Sequence, residues 1–362
     1  MLSLPVCARE MSEPPGTDGA VGSGNIAPGL GEPDGSETPF ASLAPERVLA
    51  VLEKAGFPVD GRLSALNSYE NRVYQAGTDD GFVVVKFYRP ARWTDAQIHE
   101  EHAFLQALAA EEIPVVPPLI ATDGTSLYHA EGHRFAVFPR RGGRAPECED
   151  EATLAWIGRF IGRIHAVGRV APFDARPALN AATFGDDSIA WIKNKLVMPE
   201  AVGPAYLAEA ERALAQARRL FEQVQPLSTL RAHGDCHLGN ILWTDDGPHF
   251  VDFDDARTAP AVQDLWMLLV GDENERRRRL GALLDGYEQF HTFDYRELRL
   301  IEAYRTLRLI HYAAWLARRW NDPAFPRAFP WFGTADYWRE RTAELEGQTR
   351  LMEDEEARSG WG

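Results

Sequence analysis

The sequence predicts an α+β protein of two lobes, a small β-rich lobe followed by a larger, mainly helical one. Three observations carry that expectation. Two strand-like runs, "NRVYQAG" and "GFVVVKFY", meet at the turn "TDDG", and an Asp-Gly between extended runs reads as an antiparallel hairpin. A third strand-like run, "RFAVFP", leads into "RRGGR", whose glycines suit a hinge. Beyond about residue 150 the apolar residues recur at helical spacing, interrupted by two short acidic motifs.

Length and charge set the frame. A chain of 362 residues is long enough for two cores. Its formal net charge of −16 argues against general binding to nucleic acid or to an anionic membrane, both of which need a basic surface. No run of about 18 apolar residues is present, so no membrane span is expected. The opening "MLSLPVCARE" meets Arg9 and Glu10 before a signal-peptide core of ordinary length has formed. Cys7, Cys148 and Cys236 are widely scattered, which suits a reducing compartment and gives neither a disulfide framework nor a zinc knuckle. The expectation is a cytoplasmic monomer.

Taken in order, residues 1–42 are rich in Gly, Pro, Ser and acid. Such a segment buries too little surface to offset its ordering entropy and is expected to be a disordered tail. A small lobe over 43–139 begins with the helix "APERVLAVLEKAG", where Pro45 suits the first turn and Gly56 the stop. In the second strand Val84, Lys86 and Tyr88 share one face. Lys86 therefore sits mid-strand in an apolar run, a poor position for a lysine without a partner. A helix is expected from Asp95 to about Ala110, with Ile98, His102, Leu105 and Ala109 on one stripe. The larger lobe, 140–345, opens with "ATLAWIGRFIGRIHAVG", a helix with Leu154, Ile157, Ile161 and Ile164 in line, and is helical again over 200–225. A C-terminal tail is expected over 346–362.

The chemistry concentrates in "HGDCHLGN" (233–240) and "VDFDDA" (251–256). "NILW" and "HFVDF" read as short strands joined by "TDDGP", with Asp246-Gly247 at the turn. Folding that hairpin brings Asn240 near Asp252, and Asp235 precedes Asn240 by five residues. Asn240 and Asp252 form a hard, oxygen-donor pair suited to Mg²⁺. Asp235 suits a base that orients an acceptor hydroxyl and takes its proton.

"HGDCHLGN" resembles the H-G-D-x-H-x-x-N signature of the aminoglycoside phosphotransferase and choline-kinase-like superfamily, and so implies a protein-kinase-like fold. The resemblance implies that Lys86 reaches the α- and β-phosphates of ATP and that a helix glutamate holds it. Glu101 is preferred over Glu100, since "EEHAFLQAL" matches the family's E-x-x-x-L-x-x-L helix. It implies a phosphate-covering loop at "LNSYENRVY", which is not glycine-rich, so Ser68 Oγ and nearby backbone N–H groups are assigned to ATP. Asp264 in "AVQDLWML" is expected to brace the catalytic loop. From about residue 44 to 340, "LNSYENRVYQ", "VVKFYRPARWT", "HGDCHLGNILW", "FVDFDDAR", "PAVQDLWMLL" and "DPAFPRAFPW" together resemble a family of bacterial stress response serine/threonine kinases. That resemblance implies Mg·ATP-dependent phosphorylation of protein Ser/Thr hydroxyls, autophosphorylation, and a role in surviving stress.

Other readings stand beside these. A zinc site built from His233, Asp235, Cys236 and His237 leaves the Asn240–Asp252 pairing without a purpose. Cys236 reads as a small buried hydrophobe more readily than as a redox sensor. His237 reads as structural, Asp254 and Asp255 as turn and cap residues, and the Glu302, Arg305, Arg308 face as salt-bridged surface. Two rival functions remain. One is a small-molecule kinase acting on a cationic aminoglycoside, choline or amino alcohol, which an acidic protein would attract. The other is a nucleotide-binding scaffold, which has no need for the base.

Overall fold

The structure is a computed structural model that describes residues 39–359, apart from 149 and 197. The expected tail therefore lies outside the described residues except for its last few positions. Those are packed: Phe40 is buried beneath the guanidinium groups of Arg72 and Arg89, and Ser42 Oγ lies 2.7 Å from His133 Nε2. The ordered body thus begins by residue 39 and not at 43.

Helix α1 (Pro45–Lys54) carries the expected stripe of Val48, Val51 and Leu52. It lies on one face of a five-stranded antiparallel sheet, against Ala76, Val85, Phe87, Phe135 and Val137. The strands are β1 (Leu63–Leu66), β2 (Arg72–Thr78), β3 (Gly81–Phe87), β4 (Tyr128–Ala130) and β5 (His133–Pro139), in the order β1-β2-β3-β5-β4. Register pairs Lys86 with Val73 on one side and Ala136 on the other, so Lys86 is central in the sheet. On the opposite face lies α2 (Asp95–Ala110), started by a capping box between Thr94 and Gln97. Its Ile98 packs with Tyr88, Trp93, Leu127 and Ala136, while Phe104, Leu105 and Leu108 join the core of the second lobe. One helix thus belongs to both cores and fixes the lobes to each other.

The connection between lobes is pinned as well. Arg144 and Trp243 exchange two backbone hydrogen bonds, at 3.1 and 2.7 Å, so the glycine-bearing hinge runs beside the hairpin that follows "HGDCHLGN". The second lobe is built from α3 (Glu151–Gly168), α4 (Asp187–Lys195), α5 (Gly203–Gln223), α6 (Glu273–Tyr287), α7 (Ile301–Arg318), α8 (Ala324–Ala328) and α9 (Ala335–Ser359). Two small ribbons lie among them, β6 (Leu230–Ala232) with β9 (Arg257–Ala259), and β7 (Ile241–Thr244) with β8 (Gly247–Phe250). The stretch expected as a C-terminal tail is a continuation of α9 through to Ser359. It carries apolar and small polar side chains that bury against the lobe, Met352 and Thr349 among them.

The hairpin turns differ by one residue from expectation. Thr244 pairs with Gly247, so the two bending residues are Asp245 and Asp246, and Gly247 opens β8. The first hairpin repeats the pattern, with Thr78 paired to Gly81 around Asp79 and Asp80. In both, the glycine takes a positive φ (105° and 127°) at the strand entry, where a side chain is disfavoured.

Candidate active site

Strand β8 ends at Phe250, two residues before Asp252, which was expected within the strand. Asp252 instead adopts a left-handed conformation, φ 59° and ψ 64°, at the turn into a short helical segment, Phe253–Asp255. A non-glycine residue there stores roughly 1–3 kcal/mol of strain, a feature that accumulates at functional sites. Val251 N donates to Asn240 O at 3.0 Å, so the two expected metal-side residues enter the cleft from adjacent backbone. Asn240 Nδ2 donates to the Asp235 carbonyl at 3.0 Å, tying the two ends of "HGDCHLGN" together.

The loop before Asp235 is held from below. Asp264 accepts from His233 N at 2.7 Å and from Gly234 N at 2.8 Å, and its Oδ2 also meets His165 Nε2 at 3.0 Å. Gly234 has φ +83°, and a Cβ there would lie 2.1 Å from the Asp255 carbonyl oxygen. Only glycine lets the 233–240 loop and the acidic loop approach this closely, which explains the residue between His233 and Asp235. His233 uses both ring nitrogens on backbone: Nδ1 accepts from Asp235 N at 3.3 Å and Nε2 donates to Val251 O at 2.9 Å. Cys236 is buried, and burial pushes its thiol well above the ordinary range. Neither residue is left as a metal ligand, and among the described residues no cluster of three or more His, Cys, Asp or Glu side chains is arranged to hold an ion.

Lys86 lies in the cleft between the lobes. Its Nζ is 3.4 Å from Glu101 Oε1, 3.5 Å from Asp252 Oδ1 and 2.8 Å from Asp254 Oδ1. Burial alone would drive the proton off, but Asp254 and Glu101 outweigh it and hold the ammonium protonated well above its ordinary range. Of the two candidate glutamates, Glu101 is the one at the lysine. Glu100 points the other way and accepts from the backbone N–H groups of Asp174, Ala175 and Arg176.

The nearest counter-ion of Lys86 is Asp254, which corrects the reading of that residue as a turn or cap. Its carboxylate is buried, paired also with Arg92, and held far below the usual carboxylate range. Burial opposes that shift, and Arg92 and Lys86 overcome it. Asp255 pairs with Arg92 at 2.8 Å. Arg176 completes the set, with its guanidinium 2.9 Å from Glu101 Oε2 and donating to the carbonyls of Asp254 and Ala256. Sequence reasoning missed Arg92 and Arg176. Nothing about Arg176 in "DARP" marks it, whereas Arg92 stood inside the quoted "VVKFYRPARWT".

Ser68 lies partly buried in the β1–β2 loop, whose tip is fastened to the second lobe. Glu70 Oε2 accepts from Trp315 Nε1 at 2.7 Å and Arg319 Nε at 2.5 Å. The Tyr69 ring packs on Phe325 and Phe329. Arg72 and Arg89 both reach Asp322, at 3.2 and 2.8 Å. These contacts tie the loop, which lacks glycine, to the second lobe.

At the other end of the cleft, Asp235 Oδ1 accepts from Arg308 Nη1 at 2.6 Å, and Oδ2 lies 3.5 Å from His237 Nε2. Burial would raise the Asp235 carboxyl, but Arg308 and His237 reverse this and hold it far below the usual range. Arg308 is thus part of the cleft and not of a salt-bridged surface.

Known proteins resemble this chain in sequence and in fold. Residues 62–301 match the phosphotransferase enzyme family. The chain belongs to that family. It is 43% identical over 316 residues, covering 87% of this chain and 95% of the relative, to stress response kinase A of Salmonella choleraesuis (strain SC-B67). The same identity and coverage hold for stress response kinase A of Escherichia coli (strain K12) and for the serine/threonine protein kinase RdoA of Salmonella typhimurium. Among solved structures, an amicoumacin kinase superposes with TM-score 0.63 at 19% identity, covering 84% of this chain and 92% of that one. A microcompartment-associated aminopropanol kinase gives 0.62 at 17%, covering 87% and 98%. Phosphotransferase enzyme family membership makes the protein an ATP-dependent phosphotransferase with a bilobal α+β fold. No helix among the described residues is long and apolar enough to cross a membrane.

Proposed function

We propose that this phosphotransferase is a Mg²⁺-dependent serine/threonine protein kinase of the stress response, able to phosphorylate itself. The observation that carries the acceptor class is the 43% identity, over 95% of its length, to a relative named as a serine/threonine protein kinase. The site geometry supports the transfer chemistry. Lys86, fixed by Glu101, pairs with the α- and β-phosphates, and Ser68 with its neighbouring N–H groups covers them.

Asn240 and Asp252 are the residues that would hold the metal. The donor set fits: Asp252 is 58% open to the cleft and stands close to the carboxylates of Asp254, Asp255 and Asp235. An open carboxylate with an amide oxygen nearby suits a hard divalent cation that keeps phosphate oxygens and waters as its other ligands, and the cation would supply charge neutralisation of the phosphates when bound. Asp235 accepts the proton of the acceptor hydroxyl as its oxygen bonds to the γ-phosphorus, and the bond from that phosphorus to the β-phosphate bridging oxygen breaks to release ADP. For the rival acceptor class, a small amino alcohol or aminoglycoside, the solved small-molecule kinases are below 20% identical and speak for the fold alone.

Incubation with γ-labelled ATP and Mg²⁺ tests the reading, with a generic protein acceptor in one arm and choline, an amino alcohol and an aminoglycoside in the others. Label on protein Ser/Thr, including the chain's own, is expected. The segment outside the described residues offers Ser12, Thr17, Ser23, Ser36 and Thr38 for mass spectrometry. Label passing only to a small molecule overturns the proposal.

A further inference from the structure

Two consecutive glutamates of α2 grip the same short segment of the second lobe. Glu100 accepts from the backbone N–H groups of Asp174, Ala175 and Arg176 at 2.7, 2.9 and 2.8 Å. Glu101 takes the Arg176 guanidinium on Oε2 and leaves Oε1 to Lys86. Gln97, one turn earlier, adds two bonds: its Nε2 donates to Ala175 O at 2.9 Å, and its carbonyl accepts from Arg176 Nε at 2.8 Å.

The same guanidinium reaches the acidic loop. Its Nη1 donates to the carbonyls of Asp254 and Ala256, at 3.0 and 2.7 Å, just beyond Asp252 in the chain. Arg176 and Glu101 are both buried, and the Trp93 ring lies 4.6 Å from the guanidinium. A planar fork can serve one carboxylate oxygen and three carbonyls together, whereas the three donors on a single lysine nitrogen cannot span those four acceptors. Moving α2 away would strand buried carbonyls and a buried charge, which is costly. In protein kinases the position of this helix controls the lysine–glutamate pair. Here every partner that fixes the helix belongs to the chain itself, so the set closes without a ligand.

We propose that Arg176 is a positioning residue that sets the Lys86–Glu101 pair and the Asp252 loop as one unit, with α2 in its working place before nucleotide arrives. This rests on the assignment of Lys86 to the phosphates and Asp252 to the metal given above. Without Arg176, the second oxygen of Glu101 is free to turn on Lys86, and the backbone after Asp252 loses two donors. Phosphate and metal affinity therefore weaken together, through a residue assigned to neither.

The test is calorimetry on the full-length protein with a non-hydrolysable ATP analogue. It reads the dissociation constant, the number of sites and the Mg²⁺ concentration that half-saturates binding, none of which depends on the acceptor. Arg176→Met should weaken analogue affinity roughly tenfold and raise the Mg²⁺ requirement by a similar factor. Arg176→Lys restores the charge but not the fork, and should shift both readouts less. Glu100→Gln loosens the same segment without touching Glu101, and should leave both within about twofold. Fewer sites at wild-type affinity in Arg176→Met would mean that the arginine serves folding alone, and overturns the inference. A shift in only one readout, or an equal loss in Glu100→Gln, overturns it too. Lys86→Met checks the underlying reading: wild-type affinity there removes Lys86 from the phosphates and takes the inference with it. Weakened binding in Lys86→Met beside normal binding in Arg176→Met overturns the inference alone. Should Arg176→Met not fold, hydrogen exchange in the wild type decides. The N–H groups bonded to Glu100 should be protected without nucleotide and no better protected with the analogue. Protection that arises only on binding would show that nucleotide brings α2 into place, against the inference.

Discussion

At the nucleotide end of the cleft Lys86, Glu101, Asp254, Arg92 and Arg176 form a closed set of buried ion pairs. Asp252, 3.5 Å from Lys86, is open to the cleft between the two groups, and at the proposed acceptor end Asp235 shares its carboxylate with one arginine. The first group is paired without any substrate, so on the proposed reading the phosphates would meet charges whose reorganisation is already complete. The second keeps partners that can be exchanged. On the proposed reading, the part that meets ATP is paired in advance, and the part that meets the acceptor keeps a partner it can exchange.

The two carboxylates of "VDFDDA" give the sharpest way to separate these ends. Asp252→Ala should abolish Mg²⁺-dependent transfer while moving the melting temperature little, because its side chain faces the cleft. Asp254→Ala should instead cost about 3 kcal/mol of stability, since it leaves Lys86 and Arg92 without their shared buried counter-ion. Activity assays beside thermal melts check the pair. Equal behaviour of the two variants would erase the distinction between the ends.

A smaller effect is expected at the β1–β2 loop, proposed to cover the phosphates. Glu70→Gln removes the charge that Arg319 and Trp315 hold, and should raise the KM for ATP about three- to tenfold with little change in kcat. A fall in kcat with KM unchanged would mean that the anchor serves the acceptor end instead.

The smallest effect lies behind the site. Glu297 is buried and accepts from Val262 N at 2.8 Å, supporting the segment that carries Asp264. Burial pushes its carboxyl up to about 7. The folded chain therefore keeps a proton that the unfolded chain has released at an ordinary value of 4.5, so this group's contribution to stability falls as pH rises through that window and is flat above it. Glu297→Gln, which retains an acceptor oxygen, should raise the melting temperature at pH 8 by a few degrees and change it little at pH 5. An equal shift at both pH values would place the ionisation elsewhere.

Much of the fold was legible because its signals are local. The alternation in "GFVVVKFY", the stripe in "ATLAWIGRFIGRIHAVG" and the turn glycines each act within a few residues. β1 and β4, four and three residues long, carry too little pattern to stand out, and exist because neighbours pair with them. In the site, fixed spacing brought Asp235, Asn240 and Asp252 together on paper, and the hairpin does so in space. Lys86 announced itself as a charge in an apolar strand. Long-range partners were not legible in the same way. Arg176 meets Glu101 across 75 residues and Arg308 meets Asp235 across 73, and neither arginine differs in its local sequence from one on the surface. Asp254 was misread for the same reason, since its neighbours suggested a turn while its partners lie on β3 and in the segment that follows it.

The measurement that bears most directly on a fixed nucleotide end and a separate acceptor end is the pairing of ATP-analogue affinity with turnover in Asp235→Asn. The side chain touches Arg308 and His237 and none of the Lys86 set. The dissociation constant for Mg·ATP analogue should stay within about twofold of wild type, while phosphoryl transfer falls by roughly 10²-fold or more, the usual consequence of losing a positioned base. A variant that loses affinity and turnover in step, or that turns over near the wild-type rate with its fold intact, would contradict the account.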